Sequence, residues 1–175
     1  MTVESVLREQ LTALRGSRLL LALPLLLAAC ASGPRFAVTG VNHALTPKNA
    51  VAKLPAAEGT QVLWGGVILN TTNLKDSTDV EVLGYPLDTD QEPQRDQQPL
   101  GRFIFAAKGY LEPATYAKDR KVTVIGRLTR SQAGKVGESD YVYPVVTPGQ
   151  LYLWPKESDY NTGGVHFGIG VGVGF

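Results

Sequence analysis

Gln61 to Asn70 reads QVLWGGVILN, and this stretch decides the fold. Its apolar residues are mostly β-branched or aromatic types that favour strands. The adjacent glycines Gly65 and Gly66 would allow a bulge or a sharp bend inside such a strand. A small closed barrel needs a first strand that bends strongly, so the stretch predicts the opening strand of a barrel.

Further strands and short helices are predicted on either side of this stretch. Period-two alternation and turn residues predict strands at 78–83, 102–106, 121–128 and 141–154, the last broken at Pro144 and at the turn 147–149. Thr46-Pro47 offers an N-cap and a first-turn proline for a short helix ending before Pro55. Residues 112–118 predict about two more helical turns, with Pro113 near their start.

Three strands, a short helix and two more strands is the order of the OB-fold. The expected class is therefore all-β with short helices, as a small OB-fold-like closed barrel of five to six strands. A β-sandwich stays open as the alternative, because the same strand pattern fits both architectures.

The N-terminal region has the pattern of a secretory signal. Basic residues (Arg8, Arg15 and Arg18) precede an apolar run from Leu19 to Ala29, which ends in small residues. As a helix that run would extend roughly 16 Å, at about 1.5 Å per residue. A bilayer core is about 30 Å thick, so the run is too short to span it. Export is therefore predicted.

The end of that run indicates where the signal is removed. Leu27-Ala28-Ala29-Cys30 resembles the bacterial lipobox, in which the cysteine becomes the acylated first residue of the mature chain. Two or more acyl chains hold a protein stably on a membrane. Cys30 is the only cysteine, so its lipidation would leave no thiol for a disulfide or a metal. Ala31 and Ser32 stand where an inner-membrane retention signal would have Asp, which favours a lipid anchor in the outer membrane, on its periplasmic face.

Four regions follow from these patterns. Residues 1–29 are the predicted signal peptide, 30–46 the lipidated cysteine and a tether, 47–155 the barrel domain, and 156–175 a glycine-rich apolar tail. The tail alternates apolar residues with His166 and glycines. Docking on the protein's own body, contact with a partner or membrane, and mobility all remain open for it.

The charge balance argues against one class of function. The chain has 17 basic and 16 acidic residues, and loss of residues 1–29 removes three and two of them, so fourteen of each remain. A neutral mature chain has no electrostatic footprint for nucleic acid. Nucleic acid is therefore not an expected partner.

Residues that could carry catalysis are sparse. His43 and His166 lie outside predicted rigid elements, and no nucleophile elbow, zinc-binding helix or CxxC pair occurs. The acidic residues 88, 90 and 92 resemble the opening of a calcium loop, but prolines replace the required glycine and glutamate. Asp79 and Glu81 share one strand face, where paired acids could serve hydrolysis. The simpler interpretation is that this face of the strand is exposed to solvent. The chain is expected to be no enzyme and to hold no cofactor or metal.

Aromatic residues offer the main alternative. OB-folds stack bases or sugars on exposed aromatics. The candidates for ligand stacking are Trp64, Tyr85, Tyr110 and Tyr143. Packing in the core is the competing interpretation for each of them.

Several segments in order resemble the Slp family of outer-membrane lipoproteins. They are WGGVI at 64–68, EVLGYPL at 81–87, GRF at 101–103, GYLEP at 109–113, VTVIG at 122–126, YVYPVV at 141–146 and LW at 153–154. The resemblance implies a starvation- or stress-associated envelope lipoprotein of Gram-negative bacteria, with no catalytic residues to transfer. It gives no counterpart for the tail after Pro155.

The expected function is thus a non-catalytic, lipid-anchored outer-membrane lipoprotein. It would act through contacts with outer-membrane proteins or peptidoglycan. The alternative is a periplasmic OB module that binds a glycan, a peptidoglycan fragment or an oligonucleotide.

Overall fold

The computed structural model describes residues 35–156, which form one helix and five strands. Helix α1 spans Pro47–Lys53. The strands are β1 (Gln61–Asn73), β2 (Ser77–Tyr85), β3 (Gly101–Lys108), β4 (Lys121–Val136) and β5 (Ser139–Leu153). The predicted signal peptide, Cys30 and almost all of the tail lie outside the described residues. Within the described part, no helix has the length and apolar character needed to span a membrane.

The five strands close into one barrel in the order β1-β2-β3-β5-β4, and β4 pairs with β1. All pairs are antiparallel except β3 with β5, which run parallel and pair only at Ile104 with Val145 and Phe105 with Val146. The predicted all-β class and closed barrel are confirmed. A sandwich is not formed, because a single sheet returns to its own first strand.

The glycine pair allows a close approach between strands. A Cβ on Gly66 would lie 1.9 Å from the carbonyl oxygen of Leu83 on β2. At this level β1 pairs with β2 on one side and β4 on the other. The irregularity predicted for the pair instead occurs further along, as a register shift between Ile68 and Asn70. The glycines are thus needed for packing rather than for the bulge.

One hydrophobic core fills the barrel. On β2 burial alternates strictly, so that Val80 and Val82 are fully buried while Asp79 and Glu81 face outward. Trp64 packs edge-on against Phe103, with ring centroids 5.3 Å apart. Such aromatic pairs stabilise a core beyond the area that they bury.

The predicted helix α1 is confirmed, and its start follows from local chemistry. Thr46 Oγ1 accepts the backbone N–H of Asn49, and the Asn49 side chain accepts the N–H of Thr46, which completes a capping box. Ala50 on the inner side of the helix is fully buried in the core. The helix therefore covers part of the barrel core.

The second predicted helix, at 112–118, is wrong. The N–H groups of Thr115 and Tyr116 both bond the carbonyl of Glu112, so only a single turn forms. Asp119 then adopts a left-handed φ of 69° and donates its N–H to Ile68 on β1. Pairing with β1 captures the chain before a second helical turn can form.

Strands β4 and β5 are longer and more continuous than predicted. β5 passes through Pro144 and Pro148 without ending, and register shifts between Gly126 and Arg130 absorb the irregularity. Beyond the barrel the two strands continue as a hairpin that crosses the outside of β3. Its contacts bury a second small cluster of Ile104, Tyr143 and Val145.

Candidate functional site

The four aromatic residues predicted to stack on ligands do not share one face. Trp64 is 6% exposed, and its indole N–H donates to the Leu45 carbonyl at 2.7 Å. Tyr110 is 67% exposed and lies just beyond β3. Its hydroxyl donates to Glu112, and this bond raises the tyrosine pKa. The burial of Trp64 disfavours stacking, because little of its ring is open to a ligand.

Tyr143 stabilises the β4–β5 hairpin on β2 and β3. It is 4% exposed, and its hydroxyl shares its proton between Glu81 Oε1 and the Lys135 carbonyl, each at 3.1 Å. Glu81 in turn accepts from Arg102 Nη1 at 2.8 Å. Burial, followed by the nearby Glu81 carboxylate, raises the pKa of Tyr143. This residue is structural rather than an open stacking platform.

The pair of acids considered for hydrolysis is engaged by neighbouring side chains. Glu81 bonds Arg102 and Tyr143, and Asp79 accepts from Gln132 Nε2 at 3.3 Å. Among residues 35–156 no group of three His, Cys, Asp or Glu side chains could hold a metal. The local bonds of these acids point to a structural role.

Tyr85 lines a cleft of about 350 Å³ in the described part of the chain. Its walls come from the segment before α1, from β1 around Trp64, and from the end of β2 with the loop that follows. Small-molecule sites are concave and mostly apolar with a few polar groups, and this cleft fits that description. Its side chains include His43, Leu45, Tyr85, Leu87, Thr89 and Leu100.

The polar groups of the cleft set its chemistry. Neither the His43 imidazole nor the Tyr85 hydroxyl hydrogen-bonds another described residue. No Lys or Arg is among the lining residues, and Asp88 contributes a carboxylate. A phosphate would find no cationic partner, whereas a hydroxyl-rich neutral molecule would find donors and acceptors.

Close packing of α1 positions one wall of the cleft. A Cβ on Gly84 would lie 3.2 Å from Pro47, and one on Gly101 would lie 2.8 Å from the backbone nitrogen of Lys48. Gly101 also has a φ of +108°, which favours glycine. These two glycines let the start of α1 sit directly on β2 and β3.

The opposite wall is a loop folded around Asp88. Its Oδ1 accepts the N–H groups of Asp90 and Glu92, each at 2.9 Å, and its Oδ2 accepts the Gln94 side chain at 2.8 Å. The carboxylate that resembled the start of a calcium loop thus caps its own backbone.

The same loop holds the segment before α1 against the barrel. Gln91 Oε1 accepts the N–H of Phe36 at 2.8 Å, and Gln91 Nε2 donates to the carbonyl of Phe36 at 3.0 Å. Arg35 forms an ion pair with Asp90 at 3.0 Å. Residues 35–46, predicted as part of a tether, therefore lie on the barrel. Sequence reasoning missed Gln91, because the two partners are 55 residues apart and neither carries a motif.

These features define a class: a small closed β-barrel domain with an open cleft and no catalytic constellation among its described residues. The model of the outer membrane lipoprotein Slp family matches residues 27–169. The chain therefore belongs to the Slp family of outer membrane lipoproteins, as the resemblance in its sequence predicted. The match reaches into the tail, for which that resemblance gave no counterpart.

Relatives agree with this assignment. The chain is 31% identical to the outer membrane protein Slp of Escherichia coli over 82% of this chain and 77% of that protein. It is 27% identical to the uncharacterized lipoprotein YeaY of Escherichia coli, over 74% and 67% of the two chains. An uncharacterized protein of Haemophilus influenzae is 38% identical over 57% of this chain, and the match spans 55% of that relative. No solved structure matches.

Proposed function

We propose that the protein is a non-catalytic lipoprotein held in the outer membrane by acyl chains on Cys30, with its barrel on the periplasmic side. The residues Leu27-Ala28-Ala29-Cys30 and the family support the anchor. A non-catalytic role is supported by the hydrogen bonds that already occupy the two candidate acids. Asp79 accepts from Gln132, and Glu81 accepts from Arg102 and Tyr143. The barrel would serve envelope integrity under starvation or stress, through contacts with outer-membrane proteins or peptidoglycan.

The anchor is tested with Cys30→Ser in the full-length chain. We expect loss of labelling by radioactive palmitate and loss of the protein from outer-membrane fractions. Ser32→Ala, two residues away, is the matched control and should remain acylated. A Cys30→Ser chain that still carries lipid would refute the anchor.

The association with stress is tested by measuring the amount of the protein in growing and in carbon-starved cells. A rise on starvation, together with envelope leakage in a deletion strain, is expected. Equal amounts under both conditions would contradict this part of the proposal.

The cleft favours a second candidate function, binding of a glycan or peptidoglycan fragment. The supporting observation is the set of polar groups on an apolar surface, with neither His43 nor Tyr85 hydrogen-bonded through its side chain to another described residue. Because no Lys or Arg lines the cleft, an oligonucleotide is the less suitable ligand.

Titration of the full-length protein in detergent with a peptidoglycan disaccharide tests this candidate. Trp64 lines the cleft, so its fluorescence should report saturable binding. Tyr85→Ala should weaken binding, while Tyr110→Ala, outside the cleft, should not. Absence of saturable binding would eliminate the candidate, and binding of a short oligonucleotide instead would contradict the preference for a glycan.

A further inference from the structure

The chain is fixed to the barrel from Arg35 onward. The Arg35–Asp90 ion pair and the two bonds between Phe36 and Gln91 hold its first described residues. Further along, the N–H of Asn42 donates to the carbonyl of Gln61 at 2.9 Å. The linker between barrel and proposed anchor therefore shortens from the predicted 30–46 to the few residues that precede Arg35.

Covalent geometry limits how far that linker reaches. Five residue steps separate Cys30 from Arg35, and a fully extended chain covers at most about 3.6 Å per residue, or roughly 18 Å here. Strand β1 alone, from Gln61 to Asn73, runs roughly 40 Å at about 3.3 Å per residue. The linker is thus shorter than the barrel's own strands, and Arg35 cannot lie further than about 18 Å from Cys30.

The end of the barrel on which the first described residues lie is identifiable. Phe36 shares a shallow hollow of about 330 Å³ with Gln61, Arg127 and the residues 148–150. Beside it Val38 is 47% exposed. The opposite end of β1 leads to Leu74, which is 52% exposed, and Gly109 bonds the neighbouring Asp76 there.

We propose that the barrel lies directly on the phospholipid headgroups of the leaflet that holds the anchor, with the end around Phe36, Gln61 and Arg127 toward the lipid. This inference rests on the proposed acylation of Cys30. This face contacts a lipid surface, because the linker is too short for another folded protein to lie between the barrel and the membrane. The end with Leu74 and Tyr110 then points away from the membrane, where a periplasmic partner would meet it.

The short covalent linker to the lipid anchor, rather than electrostatic attraction, would maintain the contact between the barrel and the headgroups. Arg35 and Arg127 are basic, but Asp88, Asp90 and Glu92 lie in the adjoining loop, so the face has mixed charge. A mixed face has little net attraction for anionic lipid. The contact should therefore persist at high salt.

The experiment uses the full-length acylated chain in vesicles of phosphatidylethanolamine and phosphatidylglycerol. Ala37→Cys and Leu74→Cys each introduce one new thiol at an exposed position, and the lipid-bearing Cys30 does not react with a thiol-directed fluorophore. Nitroxides attached to lipid headgroups quench fluorophores close to the surface. We expect several-fold stronger quenching at position 37 than at position 74, with or without added salt.

A linker variant tests the role of length. Insertion of about twenty Gly and Ser residues after Pro34 adds a mean span of roughly 25 Å. Quenching at position 37 should then fall toward the level at position 74. Unchanged quenching would overturn the assignment of the contact to the short linker.

The two failures are distinguishable. A chain that does not bind vesicles and shows no acyl mass on Cys30 would overturn the proposed anchor together with this inference. A chain that is acylated and bound, but equally quenched at both positions, would overturn the inference alone.

Discussion

At the scale of single residues, the tight positions of the barrel are glycines rather than large side chains. Gly66 sits where β1 pairs with both neighbours, and a methyl group there would overlap the backbone of Leu83. A backbone carbonyl in a paired strand cannot move aside as a flexible side chain can. The first strand therefore depends on the absence of a Cβ at this point.

We expect Gly66→Ala to lower the free energy of unfolding by at least about 3 kcal/mol, because it forces β1 and β2 apart. Gly59→Ala is the control. Gly59 has open space for a Cβ but a φ of +77°, so only conformational strain of about 1 kcal/mol is expected. Urea denaturation of both variants measures the difference, and equal losses would contradict the steric explanation.

Tyr143 couples the hairpin to pH. Its pKa is raised in the folded protein, so the folded state binds this proton more tightly than the unfolded chain does. The corresponding stability is fully present below the ordinary tyrosine pKa of about 10 and is lost as pH rises through the folded value.

Tyr143→Phe should therefore reduce stability at neutral pH by about 1–2 kcal/mol, since the bonds to Glu81 and Lys135 are lost. It should also flatten the decline in stability above about pH 10. Denaturation midpoints measured from neutral to alkaline pH provide the test. An unchanged alkaline slope would show that Tyr143 does not titrate on unfolding as described.

At the scale of elements, α1 connects local capping to the cleft. Thr46 caps α1 and also lines the cleft. The helix that covers part of the barrel core therefore also positions one wall of the candidate site. The segment 112–118 shows the opposite case. Its composition and proline suit a helix, but Asp119 and Arg120 pair with Ile68 on β1.

Thr46→Ala should cost about 1 kcal/mol of stability, the usual effect of removing a threonine N-cap. Thr89→Ala is the matched control, because Thr89 lines the same cleft on an exposed loop without capping a helix. Thermal unfolding followed by circular dichroism measures both. Equal effects would mean that the cap contributes nothing specific.

At the scale of the whole molecule, long-range hydrogen bonds among Phe36, Gln91 and Thr123, called the clasp below, help to join the N-terminal segment to the barrel. Gln91 is itself held by Thr123, whose hydroxyl donates to the Gln91 carbonyl at 2.7 Å. The clasp thus runs from β4 through the loop to Phe36, and it holds both a wall of the cleft and the start of the linker.

Gln91→Ala should accelerate amide hydrogen exchange at Phe36 and destabilise the protein by about 1–2 kcal/mol, because two side-chain bonds are lost. Gln97→Ala, exposed in the same loop, should change neither quantity. Hydrogen exchange resolved by peptide mass would detect the difference. Unchanged exchange near Phe36 would show that Gln91 does not hold the segment.

The sequence by itself determined the all-β class, the centres of the five strands and the cap of α1, because these follow from local alternation, propensity and side-chain-to-backbone bonding. Its segments also indicated the family. The sequence also identified aromatic candidates for ligand stacking, but it did not show how exposed each of their side chains is.

Only the tertiary structure decided which residues meet. It extended β4 and β5 through a hairpin, replaced the expected second helix by pairing with β1, buried Trp64 and Tyr143, and joined Gln91 to Phe36. Each outcome depends on contacts between residues distant in the chain. The local sequence pattern does not indicate such contacts, because they stabilise the protein only once distant parts of the chain have met in the closed barrel.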